Sequence, residues 1–363
     1  MPGLLLFLGL GMAIGSDGTG WIDFNDYELA RTIGVVALAL ILFEGGLTSG
    51  VIEIRPVLAT SVSLALIATP LCALIAGVTA VVLFDFDLKE GLLVGAVLAS
   101  TDGAAIFALL RNSTLRRRLA RTLEGESGLN DPVAVLLVIA LIESITHPGY
   151  GVGDVALLLV QQLGIGLVVG LAVGWAAVQG FRRAQLATAG LYPVASLATA
   201  ALAFGGADAL HGSGFLAVYL AGLMLGSGTI PAQQTIASFH QGMAWVAQLG
   251  MFLTLGLLVF PHQLPGIAVE GTVLAIVAAA VARPLAVIPA TLFAHFSWPE
   301  RAILGWAGLR GAVPVVLATF PVIADVPRAR ELFNIVFFAV VVSTLVQGTT
   351  FEALARRLGV TTS

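Results

Sequence analysis

Apolar residues fall along this chain in long blocks separated by short polar breaks, not in the two-residue alternation of a strand. The blocks lie near residues 3–15, 31–48, 56–84, 91–110, 120–145, 154–180, 187–205, 213–228, 240–260, 266–294, 301–320 and 331–355. Most match the roughly 20 helical residues that cross a bilayer, so the pattern predicts an all-α integral membrane protein of about twelve segments. The first block is shorter. At about 1.5 Å per residue it reaches only about 20 Å, and it is expected to be tilted, re-entrant or lacking a partner. No stretch between blocks could hold a soluble domain, and the chain stops almost at the end of the last one. A single transmembrane unit over residues 1–363 is expected.

Composition mainly excludes. Only 10% of residues are charged, against roughly 25% in soluble domains. The net charge of −4 offers no nucleic-acid footprint. The lone Cys72 cannot form an internal disulfide, and no basic stretch precedes the first block to mark a cleavable signal peptide. Arginine placement orients the segments. Arg111, Arg116, Arg117, Arg118 and Arg121 follow the fourth block, Arg182 and Arg183 the sixth, and Arg356 and Arg357 the last. Simple alternation puts these on one side, which the positive-inside rule makes cytoplasmic. The C-terminus of a multi-pass plasma (inner) membrane protein is thus expected in the cytoplasm. The other side carries Asp17, Asp23, Asp26, Asp85 and Asp87, with Arg328 and Arg330 as exceptions. Gly166, Gly170 and Gly174 mark a close helix contact, inside the chain or at a dimer seam.

Ionisable groups deep in a bilayer are costly and point to function. Asp131 lies about 15 Å into the fifth block if that block enters near Arg121, which is roughly mid-membrane. Asp102, Arg310, Arg283 and Glu44 also fall inside blocks. Blocks four and eleven are each interrupted, by Ser100, Thr101, Asp102 and Gly103 in one and by Arg310, Gly311 and Pro314 in the other. Seven crossings separate them, so they run in opposite directions. Interrupted helices in inverted positions are the best sequence pointer to a secondary transporter's binding site. There, Asp102 and Arg310 would compensate half-helix dipoles while unwound carbonyls face a cation. Helical spacing puts Ser127 and Asp131 on one stripe and Glu126 and Asn130 on the next. The first stripe offers a carboxylate and a hydroxyl to one point, a hard-oxygen site for an alkali cation that a proton can contest. Glu126 points away from it, about 140° around the helix. Arg283 is its expected partner in a buried pair, with a guanidinium suited to a two-toothed bond.

The motifs LFEGGL, ASTDGAAIFALLR, ESGLNDPVAV, ARPLAV and GLRGAVPVVLATFP, in that order, resemble the monovalent cation–proton antiporters. The branch resembled is that of the bacterial sodium or potassium–proton exchangers with an Asn-Asp motif, including the cell-volume-regulation type. The resemblance spans essentially the whole chain. It implies two inverted repeats with crossing broken helices, no cofactor, a homodimer, and a core that moves against a dimerisation domain. By position it makes Asp131 the ion- and proton-carrying acid and Asn130 its motif partner. Asp102, the Thr101 backbone, Ser127 and Glu44 lie in or near the ion site, and Glu126 and Arg283 form a structural charge pair. Asn at position 130 goes with electroneutral exchange. Members usually begin with one more helix than this chain shows, and potassium-type members often add a cytoplasmic regulatory domain that is not seen here.

Two other readings compete. Gly125-Glu126-Ser127-Gly128 fits an intramembrane serine protease, but that chemistry needs a base beside the serine. All five histidines are expected in loops or at segment ends. A passive cation channel would use repeated carbonyl or charge rings, and no filter-like repeat occurs.

Overall fold

The computed structural model describes residues 2–102, 115–183 and 186–361. The helices fall where the apolar blocks put them: α1 (Pro2–Ile14), α2 (Tyr27–Ile54), α3 (Leu58–Phe84), α4 (Leu88–Ala99), α5 (Arg117–Thr146), α6 (Val152–Arg183) and α7 (Leu191–Ala209). They continue with α8 (Gly214–Ser227), α9 (Gln233–Leu257), α10 (Pro261–Ala290), α11 (Trp298–Trp306), α12 (Ala312–Ile323) and α13 (Ala329–Arg357). The second half of block four, with Gly103, and Arg111 beyond it lie outside the described residues.

Side-chain chemistry sets the helix ends. Asp26 starts α2 by accepting from the Leu29 N–H at 2.9 Å. Asp87 with Glu90 and Ser297 with Glu300 form capping boxes at α4 and α11. Arg328, an exception to the charge rule above, has a structural task. Its guanidinium donates to the carbonyls of Phe84 and Asp85, both at 2.9 Å, and so closes the C-terminal end of α3.

Two layers result. In the panel, α2 packs on α8 and α9, α8 on α6 and α7, and α1 on α9. In the core, α3 packs along α4, α4 on α5, α10 on α11 and α13, and α12 on α13. The layers meet where α2 touches α5 and α12, and where α6 touches α5. The glycine stripe of α6 seals the panel from within. Gly166 faces Ser213, Gly170 faces Ala217 and Gly174 faces Ala221 and Met224, all at the start of or along α8. That contact belongs to one chain, not to a dimer seam.

The core shows internal symmetry. Both α3 and α10 contain a π turn, at Leu64–Ala68 and Ala278–Ala282, placed just before a proline, Pro70 and Pro284. Proline has no N–H to give, and a wider turn redistributes the freed carbonyls. Each of these helices is followed by an interrupted segment. The two interruptions fall where the sequence puts them: α4 ends at Ala99 with residues 100–102 non-helical, and α11 ends at Trp306 before α12 begins at Ala312.

Candidate functional site

The two interruptions meet. Non-helical residues 100–102 lie against 307–311, and the Asp102 N–H donates to the Leu309 carbonyl at 2.8 Å. Each break supplies a charge, and each charge serves the other segment. The Asp102 carboxylate accepts from the Ala312 N–H at 3.3 Å, at the positive N-terminus of α12. Arg310 donates from Nε to the Leu98 carbonyl at 2.7 Å, at the negative C-terminus of α4. The sequence expectation of dipole compensation holds, with the compensation crosswise. Gly311 has to be glycine here, because a Cβ would overlap the Asp102 carboxylate.

Further contacts hold Arg310 in place. Its Nη2 donates to the Ala278 carbonyl at 3.0 Å, at the π turn of α10. Its backbone N–H donates to Ser343 Oγ at 3.2 Å, and its carbonyl accepts from Thr344 at 2.9 Å. Ser343 in turn donates to Gln347, whose amide reaches back to the Trp306 carbonyl at 2.9 Å. These α13 residues brace the break at α11, and the sequence reading had not singled them out.

Asp131 sits mid-helix in α5, beside the break at α4, and is 1% exposed. Ser100 Oγ donates to its Oδ1 at 2.7 Å. Ser127 is also buried one turn earlier on the same stripe, as the spacing predicts, but the hydroxyl in contact with Asp131 is that of Ser100. Asn130 Nδ2 donates to the Thr101 hydroxyl, so the side chain of Thr101 engages the Asn-Asp motif. Asn130 Oδ1 is buried with no hydrogen-bond partner among the described residues. Glu44 is buried on α2, which meets α5 across the layer boundary.

Glu126 and Arg283 form the expected pair, both fully buried, joining α5 to α10. One guanidinium nitrogen, Nη2, makes the contact with Oε1. The two-toothed geometry anticipated from the sequence is not formed. Gly308 is the cradle for this arginine: a Cβ there would lie 2.9 Å from Arg283 Nε. With Arg283 committed to Glu126 and Arg310 to carbonyls, neither guanidinium neutralises Asp131.

One histidine departs from expectation. His240 is buried inside α9, and its Nε2 lies 2.7 Å from Ser196 Oγ of α7. The apolar block starts at 240, but the helix starts at Gln233, so His240 is two turns in and not at an end. It pairs with a panel serine, and Ser127 belongs to the core. The protease constellation is not assembled.

A buried acid that accepts from a hydroxyl at a helix break can hold either a proton or a small cation. Comparisons with known proteins agree with that chemistry. Residues 1–357 match the family model described as "Sodium/hydrogen exchanger, transmembrane". The "K(+)/H(+) antiporter NhaP2" of Shewanella sp. (strain ANA-3) is 42% identical over 98% of this chain and 62% of its own length. The "Na(+)/H(+) antiporter ApNhaP" of Aphanothece halophytica is 28% identical over 98% of this chain and 69% of its own. The structure of the sodium proton antiporter MjNhaP1 from Methanocaldococcus jannaschii superposes with a TM-score of 0.84, covering 98% of this chain and 92% of that one at 22% identity. That likeness shows the fold. The chain spans 62% of the length of the Shewanella relatives it matches.

Proposed function

For a chain that belongs to the transmembrane sodium/hydrogen exchanger family, we propose secondary antiport, in which a monovalent cation and a proton cross the membrane in opposite directions by alternating access. The observation that carries the reading is Asp131: a buried carboxylate at the crossing of two broken helices, bonded to Ser100 and left un-neutralised by either nearby arginine. Such an acid is stable when it holds a proton or a cation and costly when it holds neither. The carrier therefore crosses loaded in both directions, which is what exchange requires.

In this reading Asp131 is the carrying group, with Ser127, Ser100 and the Thr101 region supplying oxygens. Asn130 positions the break through Thr101 and offers its Oδ1. Glu44 acts from the panel side, and Asp102 and Arg310 hold the crossing open by satisfying the helix ends. One proton replacing one cation on the same acid makes the exchange electroneutral. Potassium and sodium are both candidate cargo, and relatives named for each are similar to this chain. The arginine-rich side faces the cytoplasm, the C-terminus with it, and the panel of a second copy completes a homodimer.

The test is exchange in proteoliposomes, with potassium, sodium and lithium offered one at a time against an imposed pH gradient. Uphill cation movement driven by the proton gradient is expected, with apparent cation affinity falling as pH falls. Downhill flux alone would make the protein a passive channel. A clamped membrane potential is expected to leave the rate unchanged, and a strong response would refute the one-for-one exchange.

A further inference from the structure

We propose that the groove between the two layers, at the end of α2, is a binding site for one anionic phospholipid. Its acyl chain would lie in the groove and its phosphate on Arg55. The groove holds about 630 Å³. Leu58 and Leu66 of α3 form one wall, Leu167 and Leu171 of α6 the other, and Leu129 and Val133 of α5 the floor. All four wall residues are exposed, although each is a large apolar side chain. In a bilayer such walls are covered by acyl chains, so the groove opens sideways into lipid.

Arg55 is the one charged residue among those lining this groove. It follows a kink at Gly50, whose φ of 63° favours glycine, and which is tied down where the Val51 N–H donates to Ser227 Oγ at 2.5 Å. Among the described residues nothing forms a hydrogen bond or ion pair with the Arg55 side chain. Its acidic neighbour Glu53 is held by Arg117 at 2.5 Å and Arg121 at 3.1 Å, so Glu53 cannot neutralise it. The occupant must be apolar along its length and anionic at one end. A phospholipid has that form, and a guanidinium is the side chain best shaped for its phosphate. The apolar helix of a second copy lacks the anionic end. The surrounding arginines add to the attraction, since basic residues at the membrane surface favour anionic headgroups.

The floor residues flank Asp131 in sequence, and the walls come from both layers. A lipid here would bridge the parts that the proposed transport cycle moves. Occupancy itself does not depend on that reading, because binding can be measured without flux.

The test uses the full chain in phosphatidylcholine nanodiscs doped with a phosphatidylglycerol analogue that carries a photoreactive group on one acyl chain. Adducts are mapped by mass spectrometry. Adducts on α5 and α6 beside the groove should exceed those on the exposed face of α3 at Leu74, Val78 and Val82. Gly164 also lines the groove, and a Cβ there would meet nothing within 4 Å. Gly164→Phe should therefore fill the groove without disturbing the helix and abolish the groove adducts. If that variant is not monodisperse, Leu167→Trp fills the same space. Arg55→Gln should lower the preference for phosphatidylglycerol over a matched phosphatidylcholine analogue about fivefold. Groove adducts no more frequent than those on α3 would overturn the proposal. So would an equal yield from both lipids in the wild type, or no change in Arg55→Gln.

Discussion

In the panel, Gly46 of α2 lies so close to α8 that a Cβ would run into the Tyr219 carbonyl, and Gly222 of α8 meets the Phe43 carbonyl in the same way. In the core, the comparable seam between α5 and α10 is joined by Glu126 and Arg283, both fully buried. Both layers must hold helices together where no water drives them together. The panel does so by close backbone approach, which is gained from many small dispersion contacts and weak bonds. The core has a seam of that kind between α3 and α4, where a Cβ on Gly95 would run into the Ala73 carbonyl, but it adds charge between α5 and α10, which is costly to bury and strongly destabilising when one partner is lost. A seam built on backbone contact alone carries no group that titrates or binds. A seam built on buried charge shows that this layer can hold ionised groups out of water, as the proposed exchange requires of Asp131.

The largest effect should come from the acid to which the proposed exchange assigns the cargo, Asp131. Asp131→Ala is expected to reduce proteoliposome exchange to background while the purified protein stays monodisperse. Wild-type exchange in that variant would remove Asp131 from its assigned role. Next comes the core's structural pair. Glu126→Ala and Arg283→Ala should each cost about 3–5 kcal/mol, because each strands a buried charge. The double variant should lose clearly less than the sum, read from a four-protein cycle of melting temperatures. Additive losses would mean that the two charges do not support each other. The panel should respond more mildly. Gly174→Val overfills the contact between α6 and α8 and is expected to cost about 1–3 kcal/mol. Its cation affinity should be unchanged in the folded fraction, whereas a shift would show that this seam reaches the site.

The smallest effect is at the rim. The His262 backbone N–H, at 2.9 Å, and then its ring, hold the Asp17 carboxyl below its ordinary range and tie the end of α1 to the segment after α9. A depressed carboxyl contributes stability above its unfolded value of about 3.9 and loses it as pH falls through the folded value. Asp17→Asn should therefore melt slightly lower than wild type near neutral pH and match it in strong acid. A difference that grew toward acid pH would contradict this sign.

Much of the core was legible because a charge in an apolar block is rare and its neighbours on the helix can be counted. Asp131, the stripe of Glu126 facing away and the two breaks came from position along a segment, Arg283 from its being the one guanidinium free to meet Glu126 in another block, and the role of Asn130 from the family resemblance. What spacing could not supply was the hydrogen bonds that cross between segments. Ser100 read as a helix breaker and is the hydroxyl on Asp131, because only the crossing brings residues 31 apart together. Asp102 and Arg310 read as charges that compensate half-helix dipoles, and spacing could not show that each serves the other's segment. Ser343, Thr344 and Gln347 lie in a block that already spans well, and nothing local showed that they brace Arg310. His240 was misplaced because the polar first turns of α9 hid seven helical residues ahead of the apolar block.

The crosswise arrangement at the breaks has a consequence for how the protein is made. Asp102 and the helix end it satisfies are 210 residues apart in the chain. At about 5–20 residues per second, the ribosome needs about 10–40 s to deliver the second half after the first has emerged. Throughout that interval α4 has no arginine at its C-terminal end, and Asp102 has no helix N-terminus to face. The first broken segment therefore completes its packing only when α12 arrives. A nascent chain stalled before residue 310 should leave the C-terminal end of α4 more accessible to aqueous reagents than it is in the finished protein.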